Sequence, residues 1–364
     1  MSLNRSLISP TSNPLLERAL IDKLQRRCET SGSLGELEPV AVRLGLMQNT
    51  LKPRFREPQL VLFAADHGLA VDLVMPSQQR QTHEQVQQLL SGRLPVSVFA
   101  RIQGLQLSVV DCGVANQIAP HDGLMARKIA HGTRNARVGP AMSMEHAHAA
   151  IRAGMEIGDT LRGNVVVCAG LGVGSHEAAA LVISRLTQAP LRDLMIADAR
   201  MDPDVLSEVM AVLLAAHGRH RDVIDPVEVL AAFGGFETAV MVGVMLVAAS
   251  KRHLIVVDGM AACAALMVAS QIASAVTDYC LFCRSQAHLG LDQTMALFNA
   301  TALLELGLDT VDGTGACVSW ALVRSAAALL TEVADGEDPG PSQPVSIGDA
   351  VPGAMPGGGD PTLY

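Results

Sequence analysis

The strongest constraint on the fold is a series of short, nearly continuous apolar runs, most of them stopping at Asp, His or Gly. Residues 60–65 stop at Asp66-His67-Gly68, 107–110 at Asp111-Cys112-Gly113, and 164–169 at a Gly-Leu-Gly-Val-Gly turn. Residues 194–197 stop at Asp198, 254–257 stop at Asp258-Gly259, and 279–282 make a sixth run. A strand with one wet face alternates polar and apolar residues. A strand without alternation is covered on both faces. Longer stretches with helical spacing separate the runs. The pattern therefore predicts an α/β fold, a parallel Rossmann-like sheet flanked by helices on both faces. In such sheets ligands bind beyond the carboxyl ends of the strands. Asp66, Asp111, residues 170–175, Asp198 and Asp258 are expected to converge on one crevice. Taken singly, each also reads as a turn residue or a helix cap.

Composition narrows the core. Hydrophobic residues make up 49% of the 364 and aromatics only 3%, so Ala, Leu, Val, Ile and Met must fill the interior. Residues 15–48 have helical spacing, interrupted at Thr30-Ser31-Gly32-Ser33. Residues 259–276 carry no charge, but they are rich in Ala and follow a strand-like run, which reads as a buried helix rather than a membrane span. The chain divides into a helical segment over 1–58, an α/β core with closing helices over 59–334, and a flexible Pro/Gly-rich tail over 335–364. The N-terminal segment and the closing helices would form a smaller helical subdomain.

A net charge of −9 argues against a nucleic-acid partner. The first residues lack a continuous apolar stretch, so a cytoplasmic protein with no membrane partner is expected. The seven cysteines are scattered, and the lone Cys280-Leu-Phe-Cys283 pair reads as core. His146 and His148 fall on different helix faces, and His217 and His220 sit among arginines. No bound metal is expected.

Two glycine-rich turns carry the candidate chemistry. Gly170-Leu171-Gly172-Val173-Gly174-Ser175-His176-Glu177 follows a strand and precedes a helix, whose N-terminus offers N–H groups to an anion. The spacing is GxGxG rather than the GxGxxG of dinucleotide sites, and no cofactor is expected. Asp312-Gly313-Thr314-Gly315-Ala316 also precedes a helical stretch. There Asp312 is either an acid–base group or an N-cap, with Gly315 as a close-packing position.

Seven motifs in order give these turns a setting. They are Gly32-Ser33-Leu34-Gly35 with Leu37-Glu38; Ala65-Asp66-His67-Gly68; Val110-Asp111-Cys112-Gly113-Val114; and Gly132-Thr133-Arg134-Asn135 with Gly139-Pro140-Ala141-Met142-Ser143. Later come Gly234-Gly235-Phe236-Glu237, Val257-Asp258-Gly259, and Asp312-Gly313-Thr314-Gly315-Ala316. In this order they resemble the nicotinate-nucleotide:dimethylbenzimidazole phosphoribosyltransferases over most of residues 20–333. The resemblance implies transfer of phosphoribose from nicotinate mononucleotide to a benzimidazole-type base, giving an α-ribazole phosphate for the cobamide lower ligand. It implies a homodimer. It assigns the catalytic base to Asp312, where the family carries Glu. It places Ser77, Gln85, Asp66 and His67 around the substrate base. It assigns nucleotide binding to Gly172, Val173, Gly174, Ser175, His176, Gln286, Gly313, Thr314 and Gly315.

The chain also departs from the family. Gly170 stands where a second carboxylate is expected, and His176, Glu177 and Ala178 replace an Asn-Thr-Thr run. Asp204 stands in place of a lysine, and Gln286 in place of a serine. Three readings remain open from sequence. One is an active transferase in which Arg134, Arg284 or His176 restores the lost positive charge. Another is a non-catalytic or partner-dependent paralogue that binds a nucleotide or azole ligand or pairs with an active subunit. The third is a dehydrogenase, resting on the Gly-Leu-Gly-Val-Gly turn alone.

Overall fold

The computed structural model describes residues 8–73, 80–197 and 201–333. Ser77, Asp198 and the 335–364 tail lie outside the described residues. Among those described, six strands form one sheet: β1 (Gln59–Ala65), β2 (Gln106–Gly113), β3 (Leu124–Ala126), β4 (Val165–Leu171), β5 (Leu254–Asp258) and β6 (Cys280–Cys283). All pairings are parallel, in the order β3-β2-β1-β4-β5-β6. The chain builds outward from β1 in one direction, then returns to build outward from β4 in the other. The switch lies between β1 and β4, where such sheets leave a crevice at the strands' carboxyl ends. Leu62 pairs with Val109 on one side and Ala169 on the other, so apolar rows run across the sheet.

Helices α1 (Pro14–Ser31) and α2 (Leu37–Gln48) precede the sheet. Asn13 caps the first, its side-chain oxygen accepting from Leu16 N–H, and Gly32 at φ 79° ends it. Glu38 then accepts from Ser33 Oγ and Leu34 N–H and so fixes the start of α2. α3 (Thr82–Leu90) and α4 (Pro95–Gln103) link β1 to β2, and α5 (Met144–Thr160) leads into β4. Between β4 and β5 come α6 (Ser175–Thr187), α7 (Leu191–Met195), α8 (Pro203–Arg219), α9 (Pro226–Phe233) and α10 (Phe236–Ser250). α11 (Met260–Ile272) joins β5 to β6, followed by α12 (Leu289–Leu297) and α13 (Thr314–Thr331). The uncharged 259–276 stretch is thus mostly the buried helix α11. α13 is long and apolar enough to cross a bilayer, but its apolar face packs on α2, α4, β5 and β6. Cys280 and Cys283 are free and buried in β6.

Two elements differ from the sequence reading. Residues 194–197 are not a strand. Leu191, Leu194 and Met195 share a buried face at helical spacing in α7, and a four-residue apolar run is too short to reveal that period. β3, three residues long at the sheet edge, lacks an apolar run to announce it.

With few aromatics, the core depends on close backbone approach between Ala- and Gly-rich helices. α5 crosses α10 where Gly154 meets Gly243. A Cβ at Gly243 would sit 2.0 Å from Ile151 O, and one at Gly154 would sit 1.9 Å from Val240 O. Neither carbonyl can yield without moving its helix. Gly243→Ala is expected to destabilise the protein by about 3 kcal/mol, read as a lowered midpoint in urea unfolding. An unchanged midpoint would contradict this packing.

Candidate active site

Beyond the carboxyl ends of β4, β5 and β6, to one side of the switch point, is a cavity of about 430 Å³, within the usual range for small-molecule sites. Its walls come from the β4–α6 turn, the β5–α11 turn at Gly259, the segment 309–312, Gln286 and His288 after β6, Gln85 of α3, Leu291 of α12, and Met195, Ala197 and Met201 between α7 and α8. An isolated bridge between Gln286 and Asp309 joins two of these walls. Met195, Met201, Met260 and Leu291 contribute apolar side chains to the lining.

Asp312 lines this cavity and does not cap a helix. Gly259, at φ 94°, makes room for it: a Cβ there would sit 1.9 Å from Asp312 Oδ2. The donors of α13's first turn go elsewhere. Asp258, fully buried at the end of β5, accepts through Oδ2 from Gly313 N–H at 3.0 Å, Ala316 N–H at 2.9 Å and Ser285 Oγ at 2.8 Å. Ser285 Oγ in turn accepts from Gly315 N–H, and Val311 O accepts from Thr314 N–H. Burial pushes the Asp312 carboxyl well above the usual carboxylate range, and the charge of Asp258 pushes it further. Asp258 is also raised by burial, against the three donors that favour its ionised form.

The residues 313–315, expected to hold the nucleotide, do not line the cavity. Gly313, Thr314 and Gly315 stand behind the wall with their N–H groups already bonded. Gly315 is instead a close-packing position, since a Cβ would lie 2.1 Å from Arg284 O.

The β4–α6 turn does face the cavity. Gly172 lies so close to β1 that a Cβ would sit 1.9 Å from Ala65 O, and Gly174 adopts φ 84°. Val173 donates its N–H to Thr82 Oγ1 and Ser175 donates its own to Gly172 O. The N–H groups of His176 and Glu177 find no acceptor among the described residues. They are the unclaimed donors of a helix start, where an anion is favoured.

No described residue lining the cavity is Lys or Arg, and none of the three expected cations serves. Arg284 is paired with Asp292 at 2.8 Å and with Glu305. Arg134 is exposed away from the cavity, and so is Asp204, in the first turn of α8. His176 packs against His288 with ring centroids 4.3 Å apart. Burial lowers His176 and pushes His288 down to about 3, so both rings are neutral near pH 7.

Gln85 and Gln286 line the cavity as expected. Asp66 and His67 lie beside it instead. Asp66 accepts from Thr82 Oγ1 and Ala115 N–H, and His67 pairs with Glu237 at 3.1 Å. His288 and the lining methionines were not singled out from sequence. A buried Met in a cavity wall has the same local pattern as one in a core.

The comparisons with known proteins bear on this geometry. A family model described as phosphoribosyltransferase matches residues 9–340. A nicotinate-nucleotide–dimethylbenzimidazole phosphoribosyltransferase of Cupriavidus taiwanensis is 40% identical over 324 residues, covering 88% of this chain and 92% of the relative. The enzyme of that name from Dechloromonas aromatica is 38% identical over 90% of this chain and 96% of its own length. The chain belongs to the nicotinate-nucleotide–dimethylbenzimidazole phosphoribosyltransferase family. A crystal structure of the Thermus thermophilus member superposes with a TM-score of 0.79 at 27% identity, covering 88% of this chain and 96% of that one. Asp312 is thus one of the acids in the cavity wall of this family member.

A carboxyl whose pKa is raised by folding favours the folded state fully only below its unfolded value. That contribution is lost as pH rises toward the folded pKa. Asp312→Asn keeps the shape and removes the titration. The variant should melt about 2 °C or more above the native protein at pH 8, with the gap closing toward pH 5. A gap independent of pH would contradict the raised carboxyl.

Proposed function

We propose that this protein transfers the phosphoribosyl group of nicotinate mononucleotide to a benzimidazole-type base, yielding an α-ribazole phosphate for the cobamide lower ligand. The observation that carries this reading is the placement of Asp312. A carboxyl of raised proton affinity shares one cavity with an apolar slot and with a helix start bearing unclaimed N–H groups.

Each part answers one need of the reaction. The base lies flat in the slot made by Met195, Met201, Met260 and Leu291, with one ring nitrogen toward C1′ of the ribose and its N–H toward Asp312. The N–H groups of His176 and Glu177 anchor the phosphate, which aligns C1′ for in-line attack. The free nitrogen attacks C1′ as the bond to nicotinate breaks. The bonding pair returns to the nicotinate nitrogen, the configuration at C1′ inverts, and the azole proton passes to Asp312. A carboxylate with raised proton affinity is a better acceptor for that proton than an ordinary one. Gln85 and Gln286 supply uncharged polar contacts at the ends of the slot. The same reading carries a cytoplasmic homodimer as the working form.

The test incubates the purified protein with nicotinate mononucleotide and a panel of benzimidazoles and phenols. Formation of a ribazole phosphate is followed by chromatography. Asp312→Ala should lower kcat/KM by roughly 100-fold or more without loss of thermal stability. Absence of product with every base, beside an active family member as control, would contradict the proposal.

A further inference from the structure

Behind the β4–α6 turn, three elements meet at one buried carboxylate. Glu237, in the first turn of α10, is fully buried. Its Oε1 lies 3.1 Å from His67 Nε2, in the loop after β1. The same oxygen accepts from Ser175 Oγ at 3.0 Å and from Thr238 Oγ1 at 3.1 Å. Glu237 Oε2 has no partner among the described residues.

The surrounding glycines show that this cluster is built in. A Cβ at Gly235 would lie 2.0 Å from the Glu237 carboxylate and 2.4 Å from His67 Cε1. One at Gly174 would approach His67 Cβ to 3.1 Å. Burial opposes both charges, yet each partner favours the charged form of the other, with His67 raised and Glu237 lowered. A buried ion pair is weak as a source of stability, because an apolar pair of similar volume often serves as well. Its place beside a ligand cavity calls for another explanation.

That explanation runs through Ser175. Ser175 is the first residue of α6, is itself buried, and lines the cavity. Its hydroxyl proton is committed to Glu237, so Ser175 cannot donate that proton to an anion in the cavity. It can instead hold the helix start in place. The two residues that follow it carry the N–H groups without acceptors.

We propose that Glu237, paired with His67, is a positioning residue. It anchors Ser175 and thereby aims the first-turn N–H groups of α6 at the nucleotide phosphate. Glu237 does not line the cavity. The inference rests on the transferase reading, because it takes the phosphate of nicotinate mononucleotide as the anion.

The experiment titrates nicotinate mononucleotide calorimetrically into the full-length native protein, Ser175→Ala, Glu237→Gln and the double variant. Binding of 5,6-dimethylbenzimidazole and thermal melting are recorded for each. Nucleotide affinity should fall about tenfold in each single variant, the scale of one hydrogen bond to a charged group. The double variant should bind no more weakly than the weaker single, because both changes remove one link. Affinity for dimethylbenzimidazole should stay within about twofold. Unchanged nucleotide affinity in both single variants would overturn the positioning role while leaving the transferase reading intact. So would a parallel loss of both ligands together with a lowered melting temperature. If Glu237→Gln does not fold, Ser175→Ala against the native protein decides alone. Failure of the native protein to bind nicotinate mononucleotide would overturn the transferase reading, and this inference with it.

Discussion

One buried carboxylate ties the sheet to its closing helix and sets the chemistry of the crevice. Asp258 ends β5 and takes three donors on a single oxygen, two of them the N–H groups that open α13. A carboxylate at a helix start is favoured by the helix dipole and by charge-assisted hydrogen bonds, which offset part of its burial. The contact fixes the turn before α13, so the preceding residue, Asp312, is held in the cavity wall. It also relieves Asp312 of any capping duty. Asp312 holds its proton above the ordinary range, first because it is buried and further because its neighbour Asp258 carries the same charge.

The sheet was legible in sequence because covered strands lose their alternation, and a continuous apolar run is visible without knowing its partners. The exceptions follow the same logic. β3 is too short and too close to the edge to show such a run, and residues 194–197 show one for a helix. The site was legible in part. Gly170 to Ser175 was recognisable as a strand-to-helix turn, since a local pattern makes it one. The role of 313–315 was not, because Gly313 donates to Asp258, 55 residues away, and Gly315 to Ser285, 30 residues away. The cation expected from Arg284 failed for a similar reason. Its partners, Asp292 and Glu305, come from later in the chain and are brought to it only by the fold.

What the described residues offer a phosphate is therefore dipolar rather than ionic. The wall holds three acids, Glu177, Asp309 and Asp312, and two imidazoles kept neutral by burial. Against that field stand oriented N–H groups at the start of α6. Oriented dipoles act without reorganisation, but only while the turn that carries them is held still. Gly172 against Ala65, Gly174 at positive φ, and Ser175 on Glu237 each restrain that turn. The core does the same on a larger scale, where glycine contacts lock α5 to α10.

The central claim is that Asp312 is a carboxyl of raised proton affinity inside a substrate cavity. A direct measurement is the carboxyl ¹³C shift of Asp312 in protein labelled at aspartate, assigned by its loss in Asp312→Asn and titrated from about pH 3 to pH 9. A midpoint well above the ordinary aspartate value of about 4 is expected. A midpoint at that ordinary value would contradict the account.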